Sequence, residues 1–219
     1  GIPSFKEDDL ALIRWYEQEM DRLNVSVHLN SPVSREEVLS GNYDAVIVAT
    51  GSTPKTFSLG DGAPVFTATD ILLGKAPCGQ KAVVIGGGLV GCETALWLAQ
   101  LGRQVTIVET LDRLMSVNRP LCHANSEMLE RLLPFHHVNI LTSSRAIRYH
   151  DGHLELSIPG DRLSVVCDTV ILAVGFQSEQ GLYRELLGQV PELYLLGDAR
   201  KVSNIMYAVW DAFEVANHI

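Results

Sequence analysis

Apolar positions along the chain recur with two periods, about 3.6 and about 2 residues, and the changes of period mark its elements. Leu10, Ile13, Tyr16, Met20 and Leu23 fall at helical spacing, and Ser4 with Glu7 forms an S-x-x-E capping signature ahead of them. Val25 to Leu29 alternates as a short strand, Ser34 with Glu37 repeats the capping signature, and Gly41-Asn42 turns the chain. Asp44 to Ala49 is an unbroken apolar run of the kind a buried parallel strand needs. It leaves the sheet sharply through Thr50, Gly51, Ser52, Thr53 and Pro54, because the residue before a proline is pushed out of the helical region. Residues 55–80 are rich in Gly, Pro, Ser and Thr and read as a linker with one helical patch, Asp70 to Leu73.

The segment from Lys81 to Glu109 carries the clearest pattern. Lys81 to Ile85 is a β-branched strand, Leu89 to Leu101 a helix stopped at Gly102, and Gln104 to Val108 a second strand. Between the first strand and the helix, Gly86, Gly88 and Gly91 keep G-x-G-x-x-G spacing. Each glycine has its own reason: a tight turn at the first, backbone approach to a pyrophosphate at the second, close helix packing at the third. The helix start offers free amides and the positive end of a dipole to a diphosphate. Glu109 ends the second strand 18 positions after Gly91, where a ribose 2′-hydroxyl needs an acceptor, and its charge favours NAD(H) over NADP(H). Arg103 and Arg113 read as solvated arginines.

Downstream, a helix is predicted from about Leu121 to Leu133, interrupted at Pro134, then a strand from Val138 to Leu141. Asp151-Gly152 between alternating residues predicts a hairpin with a type I′ turn, and Pro159-Gly160 turns the chain back for Leu163 to Val166. Asp168 to Val174 enters a sheet core and exits at Gly175. The runs DAVIVATG from Asp44 and DTVILAVG from Asp168 agree at the Asp, Ile and Gly and at one Val and one Ala, which predicts two related domains. Only the second carries a glycine fingerprint, so the opening βαβ unit of the first is expected to be missing. Near the end, Leu193 to Leu196 delivers Gly197, Asp198 and Ala199 to the mouth of a terminal helix with Ser203 as candidate cap.

With 219 residues and 47% apolar content the chain has material for one large or two small cores. A net charge of −9 argues against nucleic acid or an anionic membrane as partner, so a phosphate must be held by local amides. No apolar run reaches the about 18 residues of a span, and a cytoplasmic location is expected. Cys78, Cys92, Cys122 and Cys167 form no C-x-x-C or C-x-x-x-x-C pair and read as buried free thiols. His123, His136 and His137 lack companion ligands at metal spacing and read as surface imidazoles. The chain opens on Gly1 without an initiator methionine, as expected of a fragment or processed product.

The motifs IVATGS, GGGLVGCE and LYLLGDA, in that order, resemble the C-terminal region of the NADH:flavin oxidoreductase group, which includes 2-enoate reductase, 2,4-dienoyl-CoA reductase and trimethylamine dehydrogenase. The fold the resemblance implies is α/β: a Rossmann-like NAD(P)-binding domain, residues 76–177, inserted in a truncated FAD-binding domain, residues 1–75 and 178–219. It implies that Gly86, Gly88, Leu89, Val90 and Gly91 carry the NAD pyrophosphate, Glu109 the adenosine ribose, and Gly175 the nicotinamide side. It further implies that Thr50 and Gly51 lie against FAD and that Asp198 accepts from the ribityl chain, with Ala199 beside it. The implied chemistry is hydride transfer from NADH to FAD, which needs geometry and no acid-base residue. FAD is expected to bind this chain weakly or not at all. A TIM barrel with FMN and a 4Fe-4S cluster is expected upstream, and a homo-oligomer is open for the intact protein. The other reading is a non-catalytic domain that holds ADP or serves assembly, as in the trimethylamine dehydrogenase branch.

Overall fold

The computed structural model describes residues 3–116 and 123–219. In chain order the helices are α1 (Glu7–Arg22), α2 (Arg35–Ser40), α3 (Ala68–Leu72), α4 (Leu89–Gln100), α5 (His123–Phe135), α6 (Gly181–Leu186), α7 (Gly197–Arg200) and α8 (Ile205–Ala216). The strands are β1 (Ala45–Val48), β2 (Ser52–Pro54), β3 (Val65–Thr67), β4 (Lys81–Ile85), β5 (Gln104–Val108) and β6 (Asn139–Leu141), then β7 (Arg145–His150), β8 (His153–Ile158), β9 (Asp161–Val166), β10 (Thr169–Leu172), β11 (Phe176–Ser178) and β12 (Glu192–Leu195). The chain separates into two compact units, one of Gly1–Trp15 and Pro54–Gly175, the other of Tyr16–Thr53 and Phe176–Ile219.

The first unit is built on a parallel sheet of order β3-β10-β4-β5-β6. Its central strands are apolar throughout because both faces are covered. Val84, Ile107 and Ile171 point to one side and pack with Cys92, Ala95 and Leu96 of α4 and Leu129 and Leu133 of α5. Val83, Ile85, Val108, Val170 and Leu172 point to the other side and pack with Leu154 and Leu156 of β8. That second layer is the antiparallel sheet β7-β8-β9, whose first turn has Asp151 and Gly152 both at positive φ, as a type I′ hairpin requires. Lys6 joins this unit through its ammonium, 2.8 Å from an otherwise buried carboxylate oxygen of Glu93.

Several expectations change here. The stretch expected as a linker supplies β3, which pairs in parallel with β10, and α3, capped by Thr67. Three short residues, Val65–Thr67, are half-buried, too brief for periodicity to register. The fifth helix runs through Pro134 to Phe135 instead of being interrupted, because a proline so near the end removes one hydrogen bond with no further turn to break. The helix is then closed by His137 N–H to the Pro134 carbonyl and Val138 N–H to that of Leu133, with His137 left-handed. The opening α-helix starts at Glu7, after a 3-10 turn over Ser4–Lys6 that follows Pro3, in place of a start capped by Ser4.

The second unit is thinner. Its strands β1 and β12 pair in parallel, Ala45 with Glu192 through Val48 with Leu195, and β2 pairs with β11. Val38, Val48 and Leu186 are its buried cluster, with Leu39, Val46, Leu182 and Leu193 against them. Val25 to Leu29 is no strand, and Leu29 is 79% exposed: a strand needs a neighbour, and among the described residues none pairs with it. Helix α8 is capped by the Asn204 side chain on Tyr207 N–H; Ser203, the expected cap, instead donates its own amide to Asp198. The inserted unit closes on itself through Lys55 N–H to the Gly175 carbonyl, 3.0 Å, and the outer unit through Glu179 N–H to the Gly51 carbonyl, 3.0 Å.

Candidate functional site

The glycine turn joins β4 to α4 at the carboxyl ends of the parallel strands, where open α/β sheets bind ligands. Gly86 has φ of 109°, and a Cβ there would overlap the Ala173 carbonyl of β10's exit. A Cβ on Gly91 would overlap the Gly86 carbonyl and touch Ala173, so the helix seats on the strand backbone only without a side chain. Gly88 is different. It is the N-cap of α4, it offers no side-chain cap, and nothing lies within 4 Å of where its Cβ would be. A twelve-residue helix therefore presents its first amides and its positive dipole end to open space. Such a terminus suits an anion held by backbone alone.

The residues after Gly88 divide their labour. Leu89 packs partly into the core and Val90 is 37% exposed; as the first two residues of α4, both carry amides without an intrahelical partner. Gly87, which the G-x-G-x-x-G spacing leaves unassigned, proves part of the turn. Its Cβ would overlap Leu114, and its N–H donates to Glu109 Oε2 at 2.6 Å. The unbroken Gly86-Gly87-Gly88 run was the signal for it. Glu109 Oε1 accepts from Leu111 N–H at 2.8 Å and the Thr110 hydroxyl at 3.0 Å. Three donors leave about one of the carboxylate's four or so lone-pair positions free. Arg103 lies before β5 and Glu109 after it, roughly 17–20 Å along the strand, so Arg103 is no neighbour of Glu109; it donates to Gln80.

Beside Glu109 an open surface depression of about 580 Å³ is lined by Thr110, Ser143, Ser144, Arg145 and the turn Ser157 to Pro159. Ser144 N–H donates to the Glu109 carbonyl at 2.9 Å and ties this lining to the end of β5. Gly175 follows β10 and belongs to this unit; Thr50, Gly51, Asp198 and Ala199 belong to the other.

In the second unit the Thr50 hydroxyl is committed to the Glu179 carbonyl at 2.6 Å, and Gly51 is left-handed at φ 75°. Asp198 accepts from the Ser52 hydroxyl on Oδ2 and from Ser203 N–H on Oδ1, both at 3.0 Å. One lone pair on each oxygen remains, which fits a polyol hydroxyl. Among the described residues this unit has no glycine turn that could seat a second diphosphate. Burial pushes the thiol of Cys92 up to about 12 and that of Cys167 up to about 11, so both are inert as nucleophiles at neutral pH. Cys78 is also a free thiol, and Cys122 lies outside the described residues. Among the described residues no cluster of three His, Cys, Asp or Glu side chains could hold a metal; His136 and His137 are described, and the side chain of His123 lies outside that set.

A parallel αβ unit with a glycine turn and an uncapped helix start, together with a second unit formed by the flanking segments, has the layout of a two-dinucleotide-domain flavoprotein fold. The chain belongs to the pyridine nucleotide-disulphide oxidoreductase family, whose profile matches residues 17–212. It is 43% identical to cinnamate reductase of Clostridium sporogenes, over 100% of this chain and 33% of that protein. It is 34% identical to NADH oxidase of Thermoanaerobacter brockii, over 92% of this chain and 32% of that one. The solved 2-naphthoyl-CoA reductase complex with 2-naphthoyl-CoA superposes with a TM-score of 0.91 at 25% identity, over 100% of this chain and 33% of that one. The chain thus spans about a third of the length of the relatives it matches. The family is one of flavin- and nicotinamide-binding oxidoreductases, as the resemblance of the motifs implied. Among the described residues no helix is long and apolar enough to cross a membrane.

Proposed function

We propose that this chain is the electron-entry region of a larger NADH-dependent flavoprotein. The inserted unit holds NAD(H) and the outer unit is the incomplete remainder of an FAD domain. The observation that carries this is the uncapped, unobstructed start of α4 at Gly88, set beside an acid already oriented at Glu109. When bound, NADH supplies a hydride and FAD accepts it.

The chain's own part is binding and orientation. The amides after Gly88 hold the diphosphate, and Glu109 accepts one ribose hydroxyl. The depression edged by Thr110 and Ser143 is roomy enough for an adenine base, and Gly175 leaves the nicotinamide side clear of a side chain. On the outer unit, Asp198 accepts from the ribityl chain, and Thr50, Gly51 and Ala199 offer backbone beside it. Because the chain is similar to a cinnamate reductase and a 2-naphthoyl-CoA reductase, we take an aromatic acyl compound as the eventual acceptor, reached through a further domain that would carry FMN and an iron-sulfur cluster.

Calorimetric titration of the purified chain with NADH, NADPH, ADP and FAD tests the reading. NADH is expected to bind more tightly than NADPH, with FAD weak or silent. Tighter NADPH binding overturns the assignment of Glu109. ADP binding with equal strength and no flavin reduction by NADH in the longer protein favours a nucleotide-holding domain without catalysis. No binding by any of the four overturns the reading altogether.

A further inference from the structure

The loop that carries Asp198 combines backbone bonds of its own, Lys201 N–H to the Gly197 carbonyl at 2.9 Å among them, with ties from side chains elsewhere in its unit. Helix α7 is a single turn of four residues, Gly197–Arg200, with no side-chain cap at its start. It is fixed from outside by three side chains of the ribbon β2–β11 and the residues after it. The Ser52 hydroxyl donates to Asp198 Oδ2 at 3.0 Å, the Ser178 hydroxyl to the Asp198 carbonyl at 2.6 Å, and the Gln180 amide to the Ala199 carbonyl at 2.9 Å. Of these, Ser52 alone touches the carboxylate. Ser203 N–H holds the other oxygen at 3.0 Å.

An aspartate on a surface loop turns freely about its side-chain bonds. One anchor on each oxygen removes that freedom and fixes the direction of the two remaining lone pairs. Ser203 lies five positions further along the same segment, in the connection from α7 to α8, whereas Ser52 reaches Asp198 from 146 positions away. The half-buried position of the Ser52–Asp198 bond shields it from competing water.

We propose that Ser52 is a positioning residue for Asp198, aiming its carboxylate at the polyol of the flavin nucleotide. The proposal rests on the reading of Asp198 as the ribityl acceptor. Ser52 itself touches no cofactor. Its hydroxyl orders the acceptor before the ligand arrives, so its loss weakens binding through the entropy of reorienting Asp198.

The test uses the longer protein that contains this chain, stripped of flavin and titrated with FAD. Ser52→Ala is expected to weaken FAD binding about tenfold, the scale of one hydrogen bond to a charged group. Ser52→Thr, which keeps the hydroxyl, is expected to bind as wild type. Asp198→Asn is expected to weaken binding at least as much, and the double variant Ser52→Ala/Asp198→Asn no more than Asp198→Asn alone, because Ser52 acts only through that carboxylate. The flavin midpoint potential is expected to move in the same non-additive way. Ser52→Cys keeps the volume with a poor donor and carries the test if the alanine variant does not fold. FAD affinity of Ser52→Ala equal to wild type, or losses that multiply in the double variant, overturns the proposal. FAD affinity of Asp198→Asn equal to wild type overturns the ribityl reading as well, and the NADH titration separates that failure from a failure of the coenzyme site.

Discussion

At the scale of single residues, the three glycines of the turn are not equivalent, and substitution separates their roles. Gly91→Ala forces a methyl group onto the Gly86 carbonyl, which is backbone and cannot rotate aside. A loss of about 2–4 kcal/mol is expected in chemical denaturation, the range of overpacked or strained core sites. Gly88→Ala meets open space and has an ordinary φ of −73°. It is expected to leave the denaturation midpoint within about 0.5 kcal/mol of wild type. On the proposed reading its methyl group stands where the diphosphate approaches, so NADH affinity is expected to fall about tenfold or more, a difference near 1.4 kcal/mol. Calorimetry beside denaturation distinguishes the two outcomes, and equal effects of both substitutions would defeat the assignment. The spacing of the glycines was legible in the sequence because it is local. That Gly87 would also be crowded, by Leu114, was not, because the crowding comes from a loop 27 positions on.

At the scale of elements, periodicity read the long pieces and missed the short ones. The helix α4, the strands β4 and β5 and the hairpin at Asp151-Gly152 stand where their patterns put them. The strand β3 and the helix α6 escaped because three to six residues carry fewer than two full repeats. Val25 to Leu29 failed for the opposite reason: the alternation is there, and the neighbouring strand is not among the described residues. The antiparallel layer offers a charge-based test. On β8, Glu155 accepts from Arg148 at 2.8 Å and meets His150 at 3.1 Å, and these partners hold its carboxyl down at about 2. A carboxylate depressed by folding contributes stability that is present above its ordinary value of 4.5 and fades as pH falls from there toward 2. Acid unfolding followed by circular dichroism is expected to show a weaker pH dependence between those limits in Glu155→Gln than in wild type. Because the pair is exposed, neutral-pH stability is expected to change little.

At the scale of the whole molecule, the two units are unequally furnished. The inserted unit has a sheet covered on both faces, while the outer unit buries a cluster of three residues and leaves all of α8 without a buried side chain. Trp210 and Phe213 are 57% and 68% exposed. Limited proteolysis is therefore expected to cut within residues 176–219 or 16–53 first and to leave a resistant core from 54 to 175, and hydrogen exchange to be slowest in β4, β5 and β10. Cleavage that begins in the parallel sheet would contradict this. The sequence announced two domains through the likeness of DAVIVATG and DTVILAVG, but not that the insertion is closed at its own base. That closure has a genetic consequence. Lys55 and Gly175 are joined by one hydrogen bond, and Gly51 and Glu179 by another, so the entry and exit of the inserted unit lie side by side on each side of the junction. A short peptide bridging 55 to 175 would restore the outer chain with Ser52 and Ser178 in place. Recombination at one place in a shorter gene could thus acquire, discard or exchange the coenzyme module without rebuilding what surrounds it.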